Sequence, residues 1–136
     1  MSQHIHPESS AVASLAAPSG EGPVVMLNML RFRATAKYPD GSGQAACSGR
    51  EAYARYGAAV LKHLQAVGGK PIFRGVAQLT FIGPKDEPWD DVLLVQYPSR
   101  EAFLQMISDP DYLAASVHRT AALEDSRLIV MRAASG

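Results

Sequence analysis

An α+β fold, with one four-stranded antiparallel sheet carrying helices on a single face, is predicted for this 136-residue chain by three observations. Short apolar stretches at 24–33, 72–82, 92–97 and 126–132 read as strands. A long segment from Tyr53 to Val67 repeats its apolar residues at helical spacing, and further helical signals follow Ser99. The resulting order, β α β β α β, is that of a ferredoxin-like domain.

Residues 1–22 carry His4, His6, Pro7, Pro18, Gly20 and Gly22 with only a short apolar patch from Val12 to Leu15, and are read as a flexible N-terminal tail with a loose helical turn or two. Residues 23–136 are read as a single domain. Val24 to Arg33 places Val24, Met26, Leu30 and Phe32 on one face and Val25, Leu27 and Met29 on the other, so this strand needs cover on both sides. The following stretch, Ala34 to Gly49, contains Pro39-Asp40-Gly41 and Gly43, and is predicted to be a long loop of the kind that often carries function.

Ser48 followed by Glu51 is a capping-box pattern, and Tyr53, Tyr56, Val60, Leu64 and Val67 then mark one helix face as far as Gly68-Gly69. From Ile72 to Ile82 the alternation sets Phe73, Gly75, Ala77, Leu79 and Phe81 toward an expected helix layer, with Arg74 and Gln78 on the mixed opposite face. Gly83-Pro84 ends that strand, and Val92 to Tyr97 returns antiparallel to it. Ser99 caps a helix through Ile107, Asp109-Pro110 opens a second helical piece to about Leu123, and Ser126 to Arg132 closes the domain as a last strand. Helices on one face leave the other side of the sheet bare, and packing against a second copy is the simplest way to remove it from water. A homodimer is the expected state.

Composition excludes several function classes. Thirteen Lys plus Arg balance thirteen Asp plus Glu, so no positive field recruits nucleic acid. The longest apolar run, Val24 to Leu30, contains Asn28 and falls far short of the roughly 20 residues that cross a bilayer. Cys47 is the sole cysteine, so no internal disulfide forms, and with no charged start to a secretory signal a cytoplasmic location is expected. No nucleotide loop or serine-hydrolase elbow occurs, and no cofactor or metal is expected, because the His4-x-His6 pair has no third ligand in sight.

The segments V-V-M-L-N, E-A-Y-A-R-Y-G, G-G-K-P-I-F-R-G, V-L-L-V-Q-Y-P-S-R-E-A-F and S-D-P-D-Y, in this order between Pro23 and Met131, resemble the DUF1330 family. That resemblance implies membership of the dimeric α+β barrel superfamily, and hence a dimeric barrel, without naming a substrate. The N-terminal extension and the longer loop after the first strand depart from the family pattern, and are expected to reshape the mouth of any pocket.

Relatives in that superfamily hold ligands between sheet and helices, which focuses attention on polar residues aimed there. Asn28 interrupts an apolar strand, and a buried amide must be hydrogen-bonded or cost about 1–3 kcal/mol. It is read either as a structural amide or as a ligand contact. Arg74 offers two-point recognition of a carboxylate or enolate, or else pairs with a surface acid such as Glu101 or Asp109. His118 is read either as a solvent-facing helical histidine or as an imidazole for proton transfer, and on the second reading His118, Arg74 and Asn28 form the candidate catalytic set. Gln78, Tyr97 and Tyr112 are the candidate substrate-binding set, with the two tyrosines read either as amphipathic packing or as hydroxyls at a pocket rim.

Three functions are carried forward. The first is a cofactor-independent enzyme, of oxygenase or isomerase type, acting on a small carbonyl-containing or aromatic molecule. The second is a non-catalytic small-molecule-binding or stress-related dimer. The third is heme handling by Asn28, Trp89 and His118.

Overall fold

The computed structural model describes residues 3–17 and 22–134. Its elements are α1 (Ser9–Ala16), β1 (Val24–Phe32), α2 (Gly49–Ala66), β2 (Lys70–Val76), β3 (Asp91–Tyr97), α3 (Arg100–Ser108), α4 (Pro110–Ala115), α5 (Val117–Ala122) and β4 (Leu123–Met131). The strands form one four-stranded sheet in the order β2-β3-β1-β4, with antiparallel neighbours throughout, as the ferredoxin-like reading requires.

Register fixes which residues share a face. Val24, Met26, Asn28 and Leu30 stand opposite Tyr97, Val95, Leu93 and Asp91. All but Leu93 are buried, so this is the side the helices cover. The core joins Val24, Met26, Val95 and Tyr97 of the sheet to Val60 and Leu64 of α2, Met106 of α3 and Tyr112 of α4. A second cluster, around Leu30, Ala52, Tyr53, Ala122 and Leu123, lies at the other end of β1. The remaining side of the sheet presents Val25, Leu27 and Met29 together with Val92 and Leu94, all half-buried, and Ile129, which is exposed.

Four features depart from the sequence reading. β2 stops at Val76, six residues before Ile82, because the last contact of this hairpin, from Ala77 N–H to the Asp90 carbonyl, uses the end of β3. The faces of β2 are also exchanged. A bulge between Pro71 and Phe73 places Phe73 beside Leu94 on the open side and Arg74 beside Leu93 on the helix side. The helical stretch before the last strand is broken at Ser116 into α4 and α5, and β4 begins at Leu123 directly from the second piece.

Finally, the N-terminal segment bears the two-turn helix α1 and is stitched to the domain. His4 N–H donates to Asp125 Oδ1 at 2.8 Å, Ser126 Oγ donates to the His4 carbonyl at 2.6 Å, and Arg119 donates to the Ile5 carbonyl at 2.7 Å. Ile5 also packs against the cluster that contains Leu123.

Candidate functional site

Sheet register builds a polar row on the helix-facing side. Asn28 lies opposite Leu93, and Leu93 opposite Arg74, while the next row sets Asp91 between Leu30 and Val76. Asp91 is wholly inaccessible to solvent. A buried carboxylate is sustained only by paired cations and hydrogen bonds. Arg74 donates to its Oδ2 from Nη2 at 2.8 Å and from Nε at 3.2 Å. Arg50, from the first turn of α2, brings its Nη1 to 3.0 Å, although Oδ1 takes no well-directed hydrogen bond.

The start of α2 is positioned by local chemistry. Ser48 and Glu51 form the reciprocal capping box that the sequence announced, and the Ser48 bonds outrank burial in holding the Glu51 carboxyl below its ordinary pKa. Gly49 donates to the Arg33 carbonyl at 3.0 Å, so the helix begins against the end of β1. Arg50 then lies over the Phe32 ring at 4.8 Å, a cation–π contact that further orients it.

Both arginines remain about half exposed, at 48% and 50% of their side-chain surface, so each turns part of its guanidinium to solvent while the carboxylate fixes the rest. Two positive charges against one negative leave this spot with an excess of one. Such a pair is suited to hold a planar anion.

Asn28 joins this row with its amide already spoken for. Nδ2 donates to the carbonyls of Met26 and Leu93, each at 3.3 Å, which leaves the side-chain oxygen as its open end among the described residues. Arg74, expected to face a surface acid if it was structural, has a different partner, the buried Asp91 of the neighbouring strand.

Of the two readings of Tyr97 and Tyr112, pocket rim or packing, the structure has packing, since both are buried in the core. Tyr97 packs edge-on against Phe103, and Tyr112 shares a 2.7 Å hydrogen bond with the Tyr56 hydroxyl. Phe32, Tyr53, Tyr56 and Tyr112 form a chain of rings 5.3–6.2 Å apart between sheet and helices. Burial pushes the Tyr53, Tyr56 and Tyr97 hydroxyls above their ordinary pKa, so all three stay neutral at physiological pH.

His118 belongs to a separate group. Its Nδ1 lies 2.6 Å from the Tyr38 hydroxyl, and Arg55 donates to the same hydroxyl at 3.3 Å. With its oxygen accepting from Arg55, the Tyr38 hydroxyl is free to donate its proton to Nδ1 when the neutral imidazole carries its own proton on Nε2. Burial, then the Arg55 charge, hold the His118 pKa below its ordinary value. The long loop of residues 34–49 therefore docks on α5 through Tyr38. No hydrogen bond or ion pair joins His118 to Asn28 or Arg74 among the described residues.

Gln78 lies exposed beyond the end of β2 and makes no side-chain bond among the described residues. Trp89 stacks under Arg127 at 5.2 Å rather than beside Asn28 or His118, so the three residues of the heme reading do not converge. His4 and His6 line a cleft of about 450 Å³ with Gln3, Ile5 and Glu8, and no three potential metal ligands gather among the described residues.

Arg50, Asp91, Tyr38 and Arg55 were not singled out from sequence. Asp91 had a signal, an acid opening the apolar strand D-V-L-L-V two positions from the expected hairpin partner of Arg74. The others depend on contacts between distant segments.

Comparison with known proteins places this geometry in a family. Residues 43–133 match the model described as "Domain of unknown function (DUF1330)". The chain belongs to the DUF1330 family. It is 44% identical to RPA0582, whose methylated form has been crystallised, over 99% of this chain and 98% of that one, with a TM-score of 0.91. A second structure of RPA0582, a protein of unknown function from Rhodopseudomonas palustris, is 43% identical over 99% and 100% of the two chains, again at 0.91. A DABB family protein with a ferredoxin-like fold from Mesorhizobium loti is 16% identical over 85% of this chain and 100% of that one, with a TM-score of 0.50, a likeness of fold alone. No curated protein matches the chain. Among the described residues no helix is long and apolar enough to cross a membrane.

Proposed function

We propose that this DUF1330 protein is a homodimeric small-molecule-binding protein whose ligand presents a carboxylate or carbonyl-derived oxyanion to Arg50 and Arg74. The observation that carries this reading is a pair of half-exposed guanidinium groups held by one fully buried carboxylate. Asp91 occupies Nε and Nη2 of Arg74, which leaves Nη1 for a ligand, and Arg50 retains Nε and Nη2. Asn28 and the ring of Phe32 border the same spot, supplying an amide oxygen and an apolar surface for the body of a small aromatic or carbonyl compound. The bare apolar side of the sheet supports the dimer, and the free Cys47 suits a reducing, cytoplasmic setting.

Calorimetric titration with benzoate and pyruvate, beside benzamide as a neutral counterpart, tests the site. Carboxylates are expected to bind and benzamide to fail, and Arg50→Gln or Arg74→Gln should weaken binding about tenfold each, the worth of one charge-assisted hydrogen bond. Equal binding of charged and neutral compounds, or arginine variants that bind as well as the wild type, would remove this assignment.

A second reading, a cofactor-independent oxygenase or isomerase, is favoured by one observation, the 2.6 Å pairing of Tyr38 with a neutral His118. Turnover of a bound carbonyl compound that disappears in His118→Gln with binding retained would establish it. Turnover unaffected by that change would exclude His118 as the base.

A further inference from the structure

Leu93 lies on the helix-facing side of β3, between Asn28 of β1 and Arg74 of β2. A side chain so placed is ordinarily covered, as Met26, Leu30 and Val95 nearby are, yet Leu93 is only half-buried. The helices therefore leave a recess above it, beside the two arginines that hold Asp91.

Two polar atoms without partners border this recess. Tyr53 of α2 is only 6% exposed, and its hydroxyl makes no hydrogen bond among the described residues. Its ring packs with Leu30, and the charged groups that act on the hydroxyl are Arg119, bonded to Ser126 of β4, and Arg74 with Asp91, on β2 and β3. The hydroxyl thus stands over β1, between these two sides. Asn28, 8% exposed, is the β1 residue opposite Leu93. Both protons of its Nδ2 are spent on the carbonyls of Met26 and Leu93, so the amide cannot turn over and its free end is an acceptor. Among the described residues, the side-chain polar atoms that are unpaired and wholly sealed from solvent are Arg33 Nε and Asp91 Oδ1. The Tyr53 hydroxyl and Asn28 Oδ1 are unpaired without being sealed, so both still open onto the recess. A nearly buried polar group without a partner costs stability, and two of them at one opening point to a ligand that supplies the missing bonds.

The two groups are complementary. A neutral phenol donates and the fixed amide oxygen accepts, and an alcohol satisfies both at once, accepting from one and donating to the other. A ketone could only accept, and a methylene could do neither. Tyr53 follows Arg50 by three residues, so the two side chains leave the same face of α2 with Cβ atoms about 5–6 Å apart. A carboxylate held at one and an oxygen on the adjoining carbon held at the other fit that spacing. We propose that Tyr53 and Asn28 form a hydroxyl-recognition subsite beside Arg50 and Arg74, and that the ligand is a 2-hydroxy carboxylate. This inference rests on the carboxylate reading of the arginine pair and narrows it to one class of acid.

Calorimetric titration of the full chain with each enantiomer of mandelate, with benzoylformate and with phenylacetate compares a hydroxyl, a ketone and a methylene on one carbon skeleton. The tighter mandelate enantiomer is expected to bind about tenfold better than phenylacetate, with benzoylformate between them. Tyr53→Phe should remove most of that advantage and leave phenylacetate unchanged. Because the hydroxyl it removes has no partner, this variant should also unfold at the wild-type midpoint or above, which separates loss of binding from loss of fold; a lower midpoint would show the hydroxyl already engaged and count against the subsite. Equal binding of mandelate and phenylacetate, a Tyr53→Phe variant that weakens both alike or neither, or benzoylformate binding as tightly as mandelate would overturn the subsite while leaving the arginine site standing. Failure of all three acids to bind would overturn both.

Discussion

A single buried carboxylate decides the behaviour of its two arginines. Removing Arg74 or Arg50 alone leaves Asp91 one cation, and since both arginines are half exposed the expected cost of either alanine substitution is about 1–2 kcal/mol. The double variant strands a desolvated charge, so its loss should exceed the sum, as urea unfolding of all four members of the cycle will show. His118 yields a pH prediction. Its folded pKa lies below the ordinary 6.5, so the unfolded chain takes up the proton first as pH falls. The associated stability is complete above pH 6.5 and drains away on acidification, and His118→Gln should flatten that part of the stability curve. Asn28 and Arg74 were legible in the sequence because each interrupts an apolar strand. The partners were not. Asp91 is identified by hairpin register, and Tyr38 is brought to His118 across 80 residues of chain.

Helix ends obey local rules that the sequence states openly, and their consequences are correspondingly sharp. Ser48→Ala should cost about 1 kcal/mol of stability through loss of the cap. Gly49→Ala should cost more, about 2–3 kcal/mol, because a methyl group there would meet the Arg33 carbonyl and come within 2.6 Å of the Ala122 carbonyl, both backbone groups with little room to move. Denaturant midpoints of the two variants will rank them. Strand ends are less visible. The alternation of β2 runs on unbroken to Phe81, but a strand lasts only as long as its neighbour, and the β3 side of the hairpin offers its last partner at Asp90. The exchanged faces of β2 have the same origin, since the bulge after Pro71 shifts parity by one residue and leaves no mark in the hydrophobic pattern.

At the scale of the whole molecule, the N-terminal segment around His4 is tied to side chains near the start of the last strand. Burial alone would raise the Asp125 pKa, but hydrogen bonds from His4 N–H, Arg127 and Ser126 N–H outweigh it and hold the carboxyl below its ordinary 3.8. The stability it contributes is present above pH 3.8 and is lost as pH falls through the lower folded value. Deleting residues 1–8 removes the His4 donor, and should cost about 1–2 kcal/mol near neutrality and move acid unfolding to higher pH, measurable by circular dichroism. Fold class and element order were readable from patterning, whereas this strap was not, because backbone donors and acceptors carry no sequence signature. The sheet order β2-β3-β1-β4 has a consequence of another kind. Every hydrogen-bonded pair of strands joins a strand from the first half of the chain to one from the second, so neither half owns two adjacent strands. Cut at the unpaired stretch near Gly83, the halves would be useless singly and complementary together, which makes this chain a natural split protein whose refolding reports that its two pieces have met.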